Sequence, residues 1–317
     1  MGELLIPMRR PLWLAAAALL VAGCSASGHE AAGGTPDPRP FSGATHFSAD
    51  EARALHRAEE AEVGACMERR GLTYRTATAG DARRDAADSP YGLLRPGWAG
   101  SDGYGMTARV LAGPPPDPNE AHLAGLSGRE RARWRTALLG GEEGREEFAV
   151  PGGPTLVYSP DSCVHTARTE VYGEGWTRLE FSLQHAGNEV IERTYRSPGF
   201  RGAQAEWARC MREEGYAYRT LEDPRDRIQR MLDTARGDPG RLRAAGRAEL
   251  ASARQDLECQ LGVDLHRRVA EAQRTAEEPV RRRWAADLER FAGMREAAVG
   301  RARHMTESGS PPAPGRS

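Results

Sequence analysis

The chain has 317 residues, of which 44 are basic and 45 acidic, for a formal net charge of −1. That balance excludes the polybasic field by which nucleic acid or an anionic lipid surface is held. Hydrophobic residues at 39% suffice for a core, and 28% charged residues cover a solvated surface. Every basic residue is Arg, in a chain rich in Ala, Gly and Pro. This is the codon signature of a GC-rich genome, so arginine abundance carries little functional weight.

Arg9 and Arg10 precede an apolar run over 12–22 that ends in Leu20-Val21-Ala22-Gly23-Cys24. A basic segment, a short apolar stretch and small residues before a cut make a secretory signal. The run is about half of the ~20 residues that a spanning helix needs. Arg9-Arg10 also invites twin-arginine export, but Pro11-Leu12-Trp13 fits that pattern only in part. Val21-Ala22-Gly23-Cys24 resembles the lipobox of bacterial lipoproteins at all four positions. The resemblance implies a signal peptide over 1–23 and acylation of Cys24, palmitate included. Cys24 then anchors the chain to the outer face of the cell membrane. The alternative is an ordinary secretory signal in which Cys24 falls by chance.

Residues 25–46 are rich in Gly, Ala, Pro and Ser without an apolar period, which predicts a flexible tether from Cys24. Its r.m.s. span would be roughly 25 Å. Ser48 and Glu51 form a capping box, with Phe47 placed to staple against Ala52. The helix they start carries Ala52, Leu55, Val63, Cys66 and Met67 on one face and stops at Gly71. A short strand is expected over 72–76. Residues 77–119 read as irregular, with Tyr91, Trp98 and Tyr104 either anchoring the loop or forming a ligand platform. Helices are expected over 119–126 and, from the box Ser127/Glu130, up to Leu139. Short strands over 148–150 and 155–158 follow, then a helix carrying Cys163 that ends at Gly173, and one over 176–195. Further helices are expected over 201–214 and 224–236.

From Pro239 onward, Leu242, Gly246, Leu250, Ala253, Leu257 and Leu261 step at helical spacing. After Gly262 a second stripe runs from Leu265 through Val269, Ala272, Val280, Trp284 and Phe291. Pro279 should kink or divide it. Residues 306–317 read as a disordered tail.

Two segments align without a gap 144 residues apart: the eleven residues from Cys66 to Thr76 and the eleven from Cys210 to Thr220. Cys, Met, Gly, Tyr, Arg and Thr are identical, at six of the eleven positions. The repeat residues are Met67, Gly71 and Tyr74 in the first copy. In the second they are Met211, Gly215 and Tyr218, with Trp207 where the first has Val63. Two related halves follow, over 47–196 and 197–305, too far apart for a solenoid.

Setting Cys24 aside leaves Cys66, Cys163, Cys210 and Cys259, with three possible pairings. One lone helical cysteine follows each copy, which favours Cys66–Cys163 and Cys210–Cys259. A reactive thiol or a metal site is the alternative. There is no C-x-x-C spacing, and only His165 sits near a cysteine at ligand spacing. The expected fold is therefore mainly α with a few short β-strands: two helical halves, each stapled by a disulfide, and a long C-terminal helix kinked near Pro279.

The segment from Trp207 to Tyr216, with its Cys-Met-x-x-x-Gly-aromatic core, is similar to a pattern in secreted and lipid-anchored proteins of actinobacterial type. In that pattern a lone Cys follows in a later helix, as Cys259 does here. The resemblance covers about 48–305 and implies topology and address, not chemistry. No nucleophile elbow, phosphate loop, H-E-x-x-H or Ca²⁺-loop spacing appears. No catalytic residue, metal or cofactor is assigned. His165 and His185 could meet in space, and Glu142, Glu143, Glu146 and Glu147 read as solvated faces.

The expected function is a non-enzymatic binding or scaffolding module at the cell envelope, facing an envelope protein or a cell-wall polymer. One alternative is a cell-wall hydrolase whose carboxylates lie far apart in sequence. The other is a transporter's solute-binding lipoprotein, which would need a parallel sheet.

Overall fold

The structure is a computed structural model that describes residues 35–78 and 89–308. The signal, Cys24, the first part of the expected tether and residues 309–317 lie outside the described residues. Among the described residues the fold is mainly α: eleven α-helices, one 3-10 turn and two short strands.

Helix α1 (Ala49–Arg69) starts at the expected capping box: Ser48 N–H donates to Glu51 Oε2 at 2.8 Å and Glu51 N–H to Ser48 Oγ at 3.3 Å. Phe47 reaches beyond a local staple, its ring lying 6.3 Å from that of Trp176. No strand follows α1. Residues 72–76 run without strand pairing because side chains take the backbone groups. The Asn119 amide accepts from Arg75 N–H at 2.8 Å and donates to Arg75 C=O at 2.9 Å, and Trp134 Nε1 donates to Thr73 C=O at 2.8 Å.

The expected irregular stretch contains a helix, α2 (Met106–Ala112). Its uncapped start is completed from a distance. The buried Glu249 carboxylate accepts from the N–H groups of Tyr104 (3.0 Å), Met106 (2.8 Å) and Thr107 (2.9 Å). This is the favourable place for an anion on a helix dipole. Helices α3 (Glu120–Gly125) and α4 (Gly128–Leu139) follow, the latter with its own capping box. An antiparallel hairpin, β1 (Glu146–Ala149) and β2 (Thr155–Tyr158), pairs Glu146 with Tyr158 and Phe148 with Leu156.

The remaining helices are α5 (Cys163–Tyr172), α6 (Trp176–Arg196), α7 (Pro198–Glu213), α8 (Asp223–Ala235), α9 (Pro239–Gly262), α10 (Leu265–Arg283) and α11 (Ala285–Ser308). The long C-terminal helical stretch is broken near Pro279. Helix α10 carries that proline one turn before its end, and Trp284 leaves helical geometry (φ −103°, ψ 15°) before α11 begins. Helix α11 runs to Ser308, past the expected start of the tail.

The segment expected as tether is not free where it is described. Residues 40–43 form a turn, and Phe41 is fully buried in the main core. The reason is a single aromatic side chain in an otherwise polar stretch, whose burial outweighs the local preference for disorder.

Residues 35–308 form one compact unit. The main core joins α1, α5 and α6 to α10 and α11, so Phe41, Leu55, Val190, Val280, Phe291 and Val299 are buried together. Trp176 stacks between Tyr172 (4.6 Å) and Phe291 (4.4 Å). Position 196 is therefore no domain boundary. The apolar stripe that continues through Val280, Trp284 and Phe291 closes over α1 and α6 of the first half.

Candidate functional site

The two repeat copies end their helices identically. In the first, Gly71 N–H donates to Glu68 C=O at 2.8 Å and Leu72 N–H to Met67 C=O at 3.0 Å. In the second, Gly215 N–H donates to Arg212 C=O at 3.1 Å and Tyr216 N–H to Met211 C=O at 2.8 Å. Gly71 (φ +69°) and Gly215 (φ +86°) supply the left-handed residue of this Schellman cap. Met67 and Met211 are both fully buried beneath it.

Each copy's cysteine is bridged to a later helix, Cys66 to Cys163 and Cys210 to Cys259, with Cα–Cα distances of 5.5 and 5.7 Å. Each bridge sits in its own apolar cluster. Beyond the cap the copies diverge. Tyr74 donates to Glu60 at 3.0 Å and stacks on Trp134, whereas Tyr218 meets Ser252 Oγ at 3.2 Å and stacks on Tyr216.

The second copy leads to a polar centre that the sequence reading did not find. Asp256 has no exposed surface. Its Oδ1 accepts from Trp207 Nε1 and from Gln260 Nε2, both at 2.8 Å, and its Oδ2 accepts from Tyr104 O–H at 3.1 Å. Ser252 Oγ lies 3.2 Å from both Tyr104 and Tyr218 hydroxyls, and Gln260 Oε1 accepts from Leu94 N–H at 2.9 Å. Burial pushes the Asp256 carboxyl up to about 6, against the pull of its hydrogen bonds and of Arg225. Burial likewise raises the Tyr104 hydroxyl, which keeps it a donor. The centre fastens the long loop, through Tyr104 and Leu94, to α7 and α9.

This centre corrects the stripe assigned to α9. The buried face carries Ala245, Glu249, Ser252, Ala253, Asp256, Cys259 and Gln260, while Leu261 is 48% exposed and Leu250 and Leu257 are only partly buried. Helical phase relative to Cys259 was the available signal: its bridge to Cys210 forces that side inward. The leucine count pointed about one residue away.

Several concavities mark the surface. One of about 880 Å³ lies between the end of α6, the start of α7 and α10, with Pro198, Gly199, Ala272 and Ala276 beneath a rim of Glu189, Arg193, Arg196 and Arg268. Its charges are engaged: Arg193 with Glu189 at 2.8 Å and Arg268 with Glu206 at 2.7 Å.

A second concavity, of about 560 Å³, lies between the hairpin, α5 and the start of α6. There Tyr158 stacks on His165 (5.0 Å) and donates to Glu146 Oε2 at 2.6 Å, while Arg178 reaches both Tyr158 and Glu146. Burial lowers the pKa of His165, so at neutral pH the ring is uncharged and suited to stacking. Glu170, Glu174, Thr166 and Thr169 complete this wall. An aromatic pair among carboxylates and hydroxyls can recognise a polar ligand with an apolar face.

His185 does not join His165; its Nε2 lies 2.9 Å from Gly152 C=O beside another concavity. Glu180, the other carboxyl that burial raises, is held by Arg168 and lines neither of the two larger concavities. Tyr91 and Tyr104 are buried as loop anchors, Tyr91 donating to Thr194 at 3.4 Å. Among the described residues no three His, Cys, Asp or Glu side chains converge to hold a metal ion, and no helix is long and apolar enough to cross a membrane. No family model, no curated protein and no solved structure matches this chain.

Proposed function

We propose that this protein is a lipid-anchored binding or scaffolding module on the outer face of the cell membrane, held there through Cys24. The observation that carries this reading is the pairing of all four cysteines of the folded part. Two disulfides point to an oxidising, extracytoplasmic compartment, and they leave Cys24 as the one cysteine outside the bridges, at the end of a lipobox-like run.

Recognition is favoured over hydrolysis because the two carboxyls with raised pKa, Glu180 and Asp256, are engaged in separate internal networks. A helical fold with one two-stranded hairpin also differs from the parallel sheet of a solute-binding lipoprotein. The Tyr158–His165 concavity suits an envelope protein segment or a wall polymer.

Replacing Cys24 by Ala and fractionating cells tests the anchor. Release of a folded, disulfide-bonded protein supports it, and retention in the membrane overturns it. Crosslinking in intact cells from a residue beside His165 tests the module, whose failure would be a pattern unchanged from that of a probe placed on exposed Leu261.

A further inference from the structure

We infer that the exposed face of α6 is the floor of a glycan-binding trough, and that its ligand is a neutral strand of acetamido sugars. This choice of a wall polymer over a protein segment rests on the protein being a binding module. Thr177, Phe181, Gln184 and Asn188 step by four, three and four along α6, so they share one face. From first to last they rise about 16 Å, the length of a short oligosaccharide. The adjoining side chains define the walls. On one side Arg178 reaches Tyr158, and His185 Nε2 lies 2.9 Å from Gly152 C=O, which sets the hairpin along the stripe. On the other, Glu180 pairs with Arg168 of α5, and further along Pro40 packs against Gly187. A concavity opens at each end. That of the Tyr158–His165 pair includes Thr177, and one of about 370 Å³ includes Gln184 and Asn188 beside Pro40 and His46.

The stripe is uncharged in a chain with 28% charged residues. Phe181 is 39% exposed, and among the described residues its ring has no aromatic or cationic partner. The side-chain amides of Gln184 and Asn188 are exposed and likewise without a partner there. An exposed aromatic ring holds the apolar face of a sugar. A side-chain amide offers donor and acceptor together, which matches the N–H and C=O of an acetamido group. Charge argues against a phosphate-linked polyanion, which needs free cations. Arg178 is held by Glu146 at 3.2 Å, while Glu170 and Glu174 beside it enter no ion pair among the described residues. An extended peptide is read through main-chain groups, and those of α6 are already bonded within the helix. An amphipathic helix needs an apolar groove, and amides occupy half of this stripe.

The probe is the hexamer of β-1,4-linked N-acetylglucosamine, titrated by calorimetry into the full chain, which should bind it saturably. Phe181→Ala should weaken that binding about 10-fold, the worth of one stacked aromatic, and Gln184→Ala about 5-fold, the worth of one neutral amide contact. Leu111→Ala, also exposed but on α2, should leave it unchanged. Two further titrations need no variant. Cellohexaose, which lacks the acetamido groups, should bind about 10-fold more weakly, and polyglycerol phosphate should not bind saturably. Absence of saturable binding to the acetamido hexamer overturns the inference. So does binding indifferent to Phe181→Ala, equal affinity for cellohexaose, or tighter binding of the polyanion. Any of these results, with Cys24→Ala still releasing a folded protein from the membrane, would remove this ligand and leave the anchored module standing.

Discussion

Trp207 donates its indole N–H to Oδ1 of Asp256 at 2.8 Å, inside a core where the carboxyl has no contact with solvent. Burial raises that carboxyl from an ordinary 3.8 to about 6. The folded state therefore binds the proton more tightly than the unfolded chain, and stability is highest below the unfolded value. It falls as pH rises from about 4 through about 6, by roughly 3 kcal/mol for a shift of this size. Asp256→Asn keeps the Oδ1 acceptor and cannot ionise. Urea unfolding from pH 4 to 7 should show the difference between wild type and Asp256→Asn changing by about that amount, in favour of Asn at neutral pH. Carboxylates held low act with opposite sign. At Asp223 burial works upward, but the N–H groups of Arg219 and Thr220 win. Subtracting the variant's curve removes such contributions. A flat difference would show that Asp256 is charged in the fold at no cost.

Glu249 completes the start of α2 from a helix more than a hundred residues away. Glu249→Ala leaves the N–H groups of Tyr104, Met106 and Thr107 without their acceptor, the first and last of them buried, and should cost about 3 kcal/mol. Limited proteolysis should show faster cutting over 101–106. Glu249→Gln retains one acceptor oxygen and should fall between the two.

The phase of α9 predicts two unlike outcomes. Leu261→Ser lies on the exposed face and should change stability by no more than about 0.5 kcal/mol. Ala253→Leu enters a packed interior and should cost about 1–3 kcal/mol. Chemical denaturation of both variants checks the assignment, since the leucine stripe read from sequence alone places both residues inside and would make Leu261→Ser costly as well.

Gly71→Ala and Gly215→Ala test the identity of the two caps. At neither glycine would an added Cβ meet an atom within 4 Å, so only the left-handed backbone opposes it. Each substitution should cost about 1–2 kcal/mol, and the two should add because the sites are separate.

Removing either disulfide by paired Cys→Ala exchange should cost about 4 kcal/mol in the loop-entropy account. The Cys66–Cys163 pair closes 97 residues and the Cys210–Cys259 pair 49, so the first should cost slightly more. Urea midpoints of the two double variants, compared at equal m-value, make the measurement.

Much of this fold was legible as local chemistry. Capping boxes at Ser48 and Ser127, stops at Gly71, Gly173 and Gly215, and the gapless eleven-residue repeat each depend on neighbours in sequence, and each forms as expected. The cysteine pairing was legible too, because the repeat assigns one later cysteine to each copy. The strand expected over 72–76 was misread because its backbone partners are the side chains of Asn119 and Trp134, which no periodicity announces.

By itself, then, the amino-acid sequence determined the helical class, the helix ends, the bridges and the lipobox-like run at Cys24. These follow from hydrogen bonds and turns closed within a few residues, or from a count of thiols. Only the tertiary structure decided which side of α9 is buried, that Asp256 is the hub of the second half, and that Phe41 turns a polar leader into part of the core. Those outcomes rest on contacts as far apart as the 236 residues between Phe41 and Glu277. The free energy of burying a polar group depends on partners that arrive from elsewhere in the chain, and so it is set by packing and not by composition.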